Sequence, residues 1–191
     1  DESVRCRLCA HRCRIPSGRR GACGVRENRS GVLYTLVYAN LIAENLDPIE
    51  KKPLFHVFPG SRTFSVATVG CNFHCRFCQN HDISQMPRET GDVLGRPSTP
   101  EQIVLRAVET GSRTAAFTYT EPTVFFEYAY DIAVLAHERG IGNVFVTNGY
   151  MTAEALDKAA QAHLIAAGHE LLPFAYHVLK LVLIREQERL A

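Results

Sequence analysis

The sequence predicts an α/β fold in which helices cover a parallel sheet. Three short apolar runs each end in polar residues, and each is followed along the chain by a segment with helical periodicity. The runs are almost continuously apolar, which is typical of strands buried on both faces of a parallel sheet. Right-handed crossovers through the helices would join the strands. Ligands bind beyond the carboxyl ends of strands in such folds, so we expect the chemistry there.

Two segments precede this predicted core. Residues 1–31 are rich in Cys, Arg and Gly and show little periodicity, so we expect metal ligation to order them as a small module. Residues 32–63 start as a strand and turn, and then continue through three prolines as an extended connector.

The core itself, residues 64–160, contains three strand–helix units. Its strands are predicted over residues 64–70, 113–120 and 143–149. The first helix begins after Thr99 as N-cap, with Pro100 at its first position. The second runs from near Pro122 to Gly140, and the third begins after Thr152.

The tail, residues 161–191, departs from this pattern. One or two short helices are the simplest interpretation, although the run "HVLKLVLI" is an alternative fourth strand. A third strand with no neighbour would leave an open sheet edge and a large apolar face. That arrangement predicts aggregation, self-association or a partner chain.

Composition limits the class of protein. The 191 residues are 46% hydrophobic with a net charge of +1, which is ordinary for one globular domain with a small appendage. Residues 1–30 carry eight arginines against three acids. A solvated basic surface explains this better than nucleic-acid binding, for which a basic patch alone is weak support.

The seven cysteines form a group of four and a group of three, unlike the even spread of a secreted disulfide scaffold. This grouping predicts a reducing compartment and two metal sites. No signal peptide and no apolar run of 18 or more residues is present, so we expect a cytoplasmic protein without a membrane span.

The group of three lies in "VGCNFHCRFCQN", where Cys71, Cys75 and Cys78 follow the first predicted strand. Thiolates favour iron–sulfur clusters, zinc or copper(I). Three of them leave one coordination position open, which distinguishes a catalytic metal site from a closed structural one. The alternative is a zinc knuckle that recruits His74 or His81 as its fourth ligand.

The group of four, Cys6, Cys9, Cys13 and Cys23, can close a tetrahedral site around zinc or hold an auxiliary cluster. Glycines between them permit the turns that such a site needs. His11 is nearby but is expected to be a bystander. The site would serve docking of a protein substrate or electron relay, or would be a structural staple.

A C-x3-C-x2-C loop after the first strand of a parallel α/β fold resembles the radical S-adenosylmethionine (radical SAM) superfamily. The resemblance implies that Cys71, Cys75 and Cys78 hold a [4Fe–4S] cluster whose fourth iron binds S-adenosylmethionine. It implies reductive cleavage to a 5′-deoxyadenosyl radical that abstracts hydrogen, with flavodoxin or ferredoxin as reductant. Phe77 would pack on the adenine; the alternative is packing beneath the loop.

The other two strand ends extend this resemblance. "TYTEP" is similar to the family's G-G-E segment, with Tyr119 and Thr120 in place of glycines and Glu121 kept. Thr120 and Glu121 would contact the cofactor's amino group, as a carboxylate pairs well with ammonium. Glu121 is explained equally well as a first-turn acid favoured by the helix dipole. Asn148 resembles a ribose or carboxylate contact, and Asn148-Gly149 is also an ordinary turn signal.

A closer resemblance, over about four-fifths of the chain, is to the radical SAM enzyme of the AmmeMemoRadiSam system, related to pyruvate formate-lyase activating enzyme. It rests on "CRLCAHRC", "NLDPIEKKPLFHVFPGS" and "GCNFHCRFCQNHDISQ". The family's barrel has six strand–helix units, so a partial barrel, its first half only, is expected here. A truncated, frame-altered or split chain would explain this. The alternative function is a non-catalytic metal-binding interaction module.

Overall fold

The computed structural model of the chain describes residues 2–162 and 164–168. Eleven strands and four α-helices are found in this part of the chain. In chain order they are β1 (Val4–Arg5), β2 (Arg14–Ile15), β3 (Arg26–Arg29), β4 (Val32–Thr35), β5 (Asn40–Leu41), β6 (Ala43–Pro48), β7 (Arg62–Ala67), α1 (His81–Glu89), β8 (Arg96–Pro97), α2 (Pro100–Glu109), β9 (Thr114–Phe117), α3 (Phe126–Glu138), β10 (Gly142–Thr147), α4 (Ala153–Gln161) and β11 (Leu164–Gly168).

The central sheet has the strand order β11-β10-β9-β7-β6. Four of its strands are parallel, which confirms the predicted parallel α/β core. The fifth, β6, pairs antiparallel with β7 and lies within residues that were predicted to be an extended connector. That prediction is wrong for β6, whose largely exposed or half-buried residues and terminal Pro48 suit the edge of a sheet.

The tail also differs from the prediction. Leu164–Gly168 form β11, parallel to β10, where helix was expected. The third predicted strand therefore has a neighbour, and the prediction that it forms the open edge is wrong. Parallel pairing with β10 provides the backbone partners that an isolated apolar run would lack. Residues 169–191, including "HVLKLVLI", lie outside the described residues.

The helix starts follow the sequence signals. Thr99 accepts from the backbone of Gln102, whose side chain accepts in return from the Thr99 N–H, so α2 has a full capping box. Thr152 caps α4 by accepting from Ala155. The segment predicted as one helix from Pro122 is a 3-10 turn, Pro122–Phe125, followed by α3.

Both faces of the sheet are buried. The side chains of Phe64, Phe117 and Phe145 lie on the face of the sheet that α2 and α3 cover, in the main core. Ala116 and Val144 point the other way, into a small cluster with Ile49. This two-sided burial explains why the strands are continuously apolar in sequence.

Residues 1–31 are joined to this core. Cys23 and Val25 are buried members of the main cluster, so a hydrophobic core as well as any metal orders the segment. The guanidinium of Arg26, which is 4% exposed, donates to the Val124 carbonyl and forms an ion pair with Glu127. The predicted boundary at residue 31 falls in the turn between β3 and β4.

Candidate metal and cofactor site

The three cysteines of the second group lie on the loop between β7 and α1, and all three are partly exposed. The Cys78 N–H donates to the Cys75 carbonyl at 3.2 Å, and the Phe73 N–H lies 3.4 Å from the Cys71 sulfur. Burial, with a contribution from the nearby Glu121 carboxylate, raises the pKa of Cys71 to about 12. Cys71 is thus the thiol that lies deepest, toward the neighbouring strand ends.

Helix α1 fixes the conformation of this loop. Gln85 is 1% exposed and donates from Nε2 to the Phe73 carbonyl at 3.1 Å. Its Oε1 accepts from His74 Nδ1 at 2.9 Å. Arg88 donates to the same Phe73 carbonyl at 3.2 Å. Two side chains of α1 therefore satisfy the Phe73 carbonyl and hold the loop against the helix.

Gly70 begins the loop with a φ of +99°, and a Cβ there would lie 2.7 Å from Val25 Cγ1. We expect Gly70→Ala to lower the free energy of unfolding by about 2–5 kcal/mol, from the left-handed backbone and the overpacking together. Gly111→Ala is the matched control, because Gly111 has a φ of +64° and open space around its Cα. Chemical denaturation measures both; equal losses would show that contact with Val25 does not matter.

Glu121 follows β9 and is 3% exposed. Its Oε1 accepts from the Thr123 N–H at 3.0 Å and the Thr147 hydroxyl at 2.7 Å, and its Oε2 accepts from the Asn148 N–H at 2.8 Å. Burial raises the pKa of Glu121, and these donors oppose the increase. Glu121 is also the N-cap of the 3-10 turn Pro122–Phe125, and so precedes the first turn in which the alternative had placed it. These contacts favour a role in holding two strand ends together.

Thr120 and Tyr119 occupy the two positions where the resembling segment has glycines. Thr120 is 8% exposed and donates to the Thr68 carbonyl at 2.8 Å, which joins the ends of β7 and β9. Tyr119 has a φ of +63°, a conformation that glycine adopts without strain. Its hydroxyl donates to Asp47 at 2.5 Å. The side chains that replace the glycines are therefore anchored within the fold.

Asn148 connects the third strand end to the cysteine loop. Its Nδ2 donates to Asn72 Oδ1 at 2.8 Å, while its backbone N–H donates to Glu121. A continuous chain of hydrogen bonds thus runs from Glu121 through Asn148 to Asn72, which follows Cys71 directly. The structure brings all three strand ends together at one edge of the sheet.

Phe77 is the most exposed large apolar residue in the described part of the chain, at 73%. The alternative that it packs beneath the loop is wrong in this structure. An exposed ring beside Cys78 has a face available for a flat aromatic ligand.

The four N-terminal cysteines also come together. Cys6 and Cys23 are buried, whereas Cys9 and Cys13 are partly exposed. Burial raises the pKa of Cys23, and the proximity of Cys6 and Cys9 adds to the effect. Burial likewise raises the pKa of Cys9, with Cys6 and Cys13 adding to it. The backbones of two of them are joined directly, because the Cys6 N–H donates to the Cys13 carbonyl at 3.0 Å.

The donor set of the β7–α1 loop suits a thiolate-bound cluster. Three soft ligands come from eight consecutive residues, and a backbone N–H already points at the Cys71 sulfur, as in iron–sulfur sites tuned by hydrogen bonds. Among residues 2–162 and 164–168, no group of three or more His, Cys, Asp or Glu side chains is arranged so that it could hold a metal ion. The ligand assignments therefore rest on donor chemistry.

The zinc-knuckle alternative needs a nearby histidine. His74 uses Nδ1 to bond Gln85, and His81 Nε2 lies 3.4 Å from Glu89. His11 uses Nε2 to donate to the Asn72 carbonyl at 2.8 Å. The described contacts give each of these rings a partner other than a metal.

Sequence reasoning missed Asn72, Tyr150 and Gln85. The ring of Tyr150 lies 5.1 Å from that of Phe73 and 5.0 Å from that of His11, between the loop and the N-terminal segment. Asn72 lies between two cysteines of the motif, and an amide side chain at that position is a local signal that could have identified it. Gln85 and Tyr150 carry no local signal, because their partners are distant in sequence.

The parallel sheet and the three-cysteine loop at the carboxyl end of β7 place the chain among parallel α/β proteins with a cysteine-rich loop at a strand end. Residues 65–182, well over half of the chain, match the radical SAM superfamily, and the chain belongs to that superfamily. It is also 47% identical over 156 residues to the uncharacterized protein MJ0808 of Methanocaldococcus jannaschii. That match covers 82% of this chain and 46% of MJ0808, so the chain spans about half the length of this curated relative.

Proposed function

We propose that the chain is a radical SAM enzyme that binds a [4Fe–4S] cluster through Cys71, Cys75 and Cys78. The cluster supplies one-electron reduction of S-adenosylmethionine to methionine and a 5′-deoxyadenosyl radical, which takes a hydrogen atom from the substrate. The electron comes from a protein reductant of the flavodoxin or ferredoxin class. The substrate is proposed to be a protein.

One observation carries the proposal: the three thiols lie on a single loop that is hydrogen-bonded to the other strand ends. Asn72, next to Cys71, accepts from Asn148, whose backbone bonds the buried Glu121. A ligand at the open iron position would therefore lie beside polar groups from all three strand ends. Buried hydrogen-bond networks hold such groups in fixed positions.

The other residues of this edge have separate proposed roles. The exposed ring of Phe77 would stack on the adenine of bound S-adenosylmethionine, and Asn148 would contact its ribose or carboxylate. Thr120 and Glu121 shape the pocket for the amino group through the strand ends that they join. Because the donors around Glu121 already use both of its oxygens, we assign it to shaping the pocket in preference to direct binding.

Finer assignments extend this proposal. We propose that the enzyme belongs to the AmmeMemoRadiSam type and acts in the cytoplasm, where a reducing milieu keeps its seven cysteines free. The N-terminal cysteines would hold zinc or an auxiliary cluster. Self-association through a sheet edge is a further proposed contact, and β11 is the outermost strand on that side among the described residues. No helix among the described residues is long and apolar enough to cross a membrane.

The test is anaerobic reconstitution with iron and sulfide, followed by reduction in the presence of S-adenosylmethionine. We expect 5′-deoxyadenosine to form in the wild type and to be absent in Cys75→Ala. A wild type that binds iron but forms none would identify a non-catalytic metal-binding module. Equal yields from both proteins would show that Cys75 is not a cluster ligand.

Phe77→Ala tests the proposed adenine contact. Removing a stacking ring costs about 1–3 kcal/mol per base, so we expect roughly 5- to 150-fold weaker binding of S-adenosylmethionine to the reconstituted protein. The melting temperature should not change, because the ring is 73% exposed. Phe55→Ala is the control, since Phe55 is 62% exposed in a different segment. Equilibrium dialysis that gives equal affinities for both variants would contradict the contact.

A further inference from the structure

Tyr119 lies in a strained turn just past the end of β9. Its φ is +63°, and the N–H of the next residue, Thr120, donates to the Thr118 carbonyl at 2.8 Å. A positive φ at the middle residue of such a three-residue hydrogen bond defines the rarer and strained form of the γ-turn. Glycine adopts a positive φ readily, whereas a residue with a Cβ pays for it. Contacts from outside the turn must therefore hold Tyr119 in this conformation.

The side chain of Tyr119 makes these contacts. Its hydroxyl donates to Asp47 Oδ2 at 2.5 Å, and the Lys52 ammonium lies 4.7 Å from the centroid of its ring. Asp47 is itself fixed, because Lys52 and Ser65 each donate to the same oxygen at 2.8 Å. Burial and the hydrogen bond to Asp47 raise the pKa of Tyr119 to about 12, so the hydroxyl is a donor at neutral pH. Tyr119 is therefore tied to a buried ion pair whose carboxylate lies on β6.

The turn at Tyr119 sets the direction of the two residues that follow it. Thr120 donates its hydroxyl to the Thr68 carbonyl at 2.8 Å, just past the end of β7. Glu121 Oε2 accepts from the Asn148 N–H at 2.8 Å, just past the end of β10. A γ-turn reverses the chain within three residues, so a change of φ at Tyr119 would displace both contacts. Residues 120 and 121 therefore reach the neighbouring strand ends only while the turn is kept.

We propose that Tyr119 is a positioning residue for the cofactor pocket. Its hydroxyl and ring, held by Asp47 and Lys52, keep the strained turn that sets Thr120 and Glu121 against the other two strand ends. The buried ion pair thus acts on the pocket through Tyr119, without contact to the ligand. The part of this inference that concerns S-adenosylmethionine rests on the proposed function above, whereas the turn and its anchor do not.

Tyr119→Gly and Tyr119→Ala form the first test, because both remove the ring and its hydroxyl and they differ by one methyl group. In the full chain without metal, hydrogen exchange of the Asn148 amide reports whether Glu121 is still in place. We expect this amide to exchange about 5- to 30-fold faster in Tyr119→Ala than in Tyr119→Gly, because only glycine keeps the positive φ without an anchor. The Thr152 amide, which donates to the Leu8 carbonyl at 3.0 Å, should exchange equally in both.

The second test measures affinity. The variants are reconstituted with iron and sulfide and dialysed against S-adenosylmethionine. We expect Tyr119→Gly to bind it as wild type does, and Tyr119→Ala to bind it about 5- to 30-fold more weakly. Tyr119→Phe should also bind more weakly than Tyr119→Gly, because it keeps the Cβ but loses the hydroxyl that is anchored on Asp47.

Tyr128→Phe is the matched control for the loss of the hydroxyl. Tyr128 is 1% exposed in the main core, and its hydroxyl donates to the Ser98 carbonyl at 2.5 Å, the same length as the bond to Asp47. We expect Tyr128→Phe to lower the midpoint of urea denaturation without weakening the binding of S-adenosylmethionine. Tyr119→Gly should likewise lose stability and keep its affinity, which a merely structural role of Tyr119 does not predict.

The outcomes separate this inference from the proposed function. Equal exchange of the Asn148 amide in Tyr119→Gly and Tyr119→Ala would overturn the role of the turn in placing Glu121. Equal affinities of these two variants, with a wild type that binds S-adenosylmethionine, would overturn the role of Tyr119 in the pocket alone. A wild type that binds none would refute the proposed function and with it that role, whereas the exchange result still decides whether Tyr119 holds Glu121 in place.

Discussion

Asp47→Ala is expected to lower the free energy of unfolding by about 3–5 kcal/mol, because it leaves the buried Lys52 ammonium without its counter-charge. Asp47 is 5% exposed and Lys52 is 2% exposed. Lys52 Nζ lies 2.8 Å from Asp47 Oδ2, the oxygen that also accepts from Ser65 and Tyr119. This network, on the sheet face opposite α2 and α3, joins β6, β7 and the end of β9.

Lys51→Ala is the matched control for this prediction. Lys51 lies 2.8 Å from the other oxygen of the same carboxylate, but its side chain is 59% exposed. An exposed pair contributes about 0–1 kcal/mol, so we expect little change in stability. Replacing Asp47 and Lys52 together by apolar residues should cost less than Asp47→Ala alone. Equal losses in the two single variants, measured by urea denaturation, would contradict the assignment.

The hydrogen bonds around Asp47 also predict how the stability of the protein changes at low pH. Burial opposes ionisation of Asp47, but the hydrogen bonds from Lys51, Lys52, Tyr119 and Ser65 outweigh it and hold the pKa of Asp47 well below its usual range. Because the pKa of Asp47 is lower in the folded chain than in the unfolded chain, its ionised form stabilises the fold at pH values above the unfolded pKa of about 3.9. This stabilisation is lost as the pH falls below that value. The stability difference between wild type and Asp47→Ala should therefore shrink below about pH 4. A difference independent of pH would contradict it.

Cys71→Ser is expected to abolish binding of the proposed iron–sulfur cluster by the β7–α1 loop. Serine keeps the size of the side chain but removes the soft ligand that iron–sulfur clusters require. Compared with reconstituted wild type, the Cys71→Ser variant should bind about four fewer irons and should lack the broad visible absorbance of the cluster. Cys71 is the most informative of the three ligands, because it is the one that adjoins Asn72 and lies near Glu121.

Ser84→Ala provides the matched control for Cys71→Ser. Ser84 lies 3.5 Å from the Cys78 sulfur and is 1% exposed, so it tests disturbance of the loop without removal of a ligand. We expect Ser84→Ala to retain its iron. Iron loss of the same size in both variants would indicate collapse of the loop, and iron retained in Cys71→Ser would exclude Cys71 as a ligand.

The predictable parts of the fold carry local signals. The strands around Phe64, Phe117 and Phe145 are continuously apolar, and Thr99 and Thr152 are ordinary helix caps. Helix α1 carries a weaker signal, since its N-cap position, Asn80, makes no side-chain cap bond and Pro87 lies inside the helix. Only Ile83 and Met86 pack against the main core, while its fully buried residues include the polar Ser84 and Gln85.

The candidate site also contains features with a local sequence signal and features that depend on distant residues. Spacing alone singled out the two groups of cysteines, because ligand spacing is a local property. The environment of Glu121 depends on Thr147 and Asn148, which lie 26 and 27 residues further along the chain. Tyr119 reaches Asp47 across 72 residues. Such partners follow from the packing of the sheet, so residue types alone could not decide between a ligand and a structural role for Glu121.

The proposed function requires that the iron not held by Cys71, Cys75 or Cys78 is open to S-adenosylmethionine. Electron paramagnetic resonance of the reduced cluster tests this most directly, in a chain whose N-terminal cysteines are replaced so that one cluster is observed. We expect the addition of S-adenosylmethionine to shift the g-values of that cluster. A spectrum unchanged at saturating S-adenosylmethionine would contradict an open position at this site.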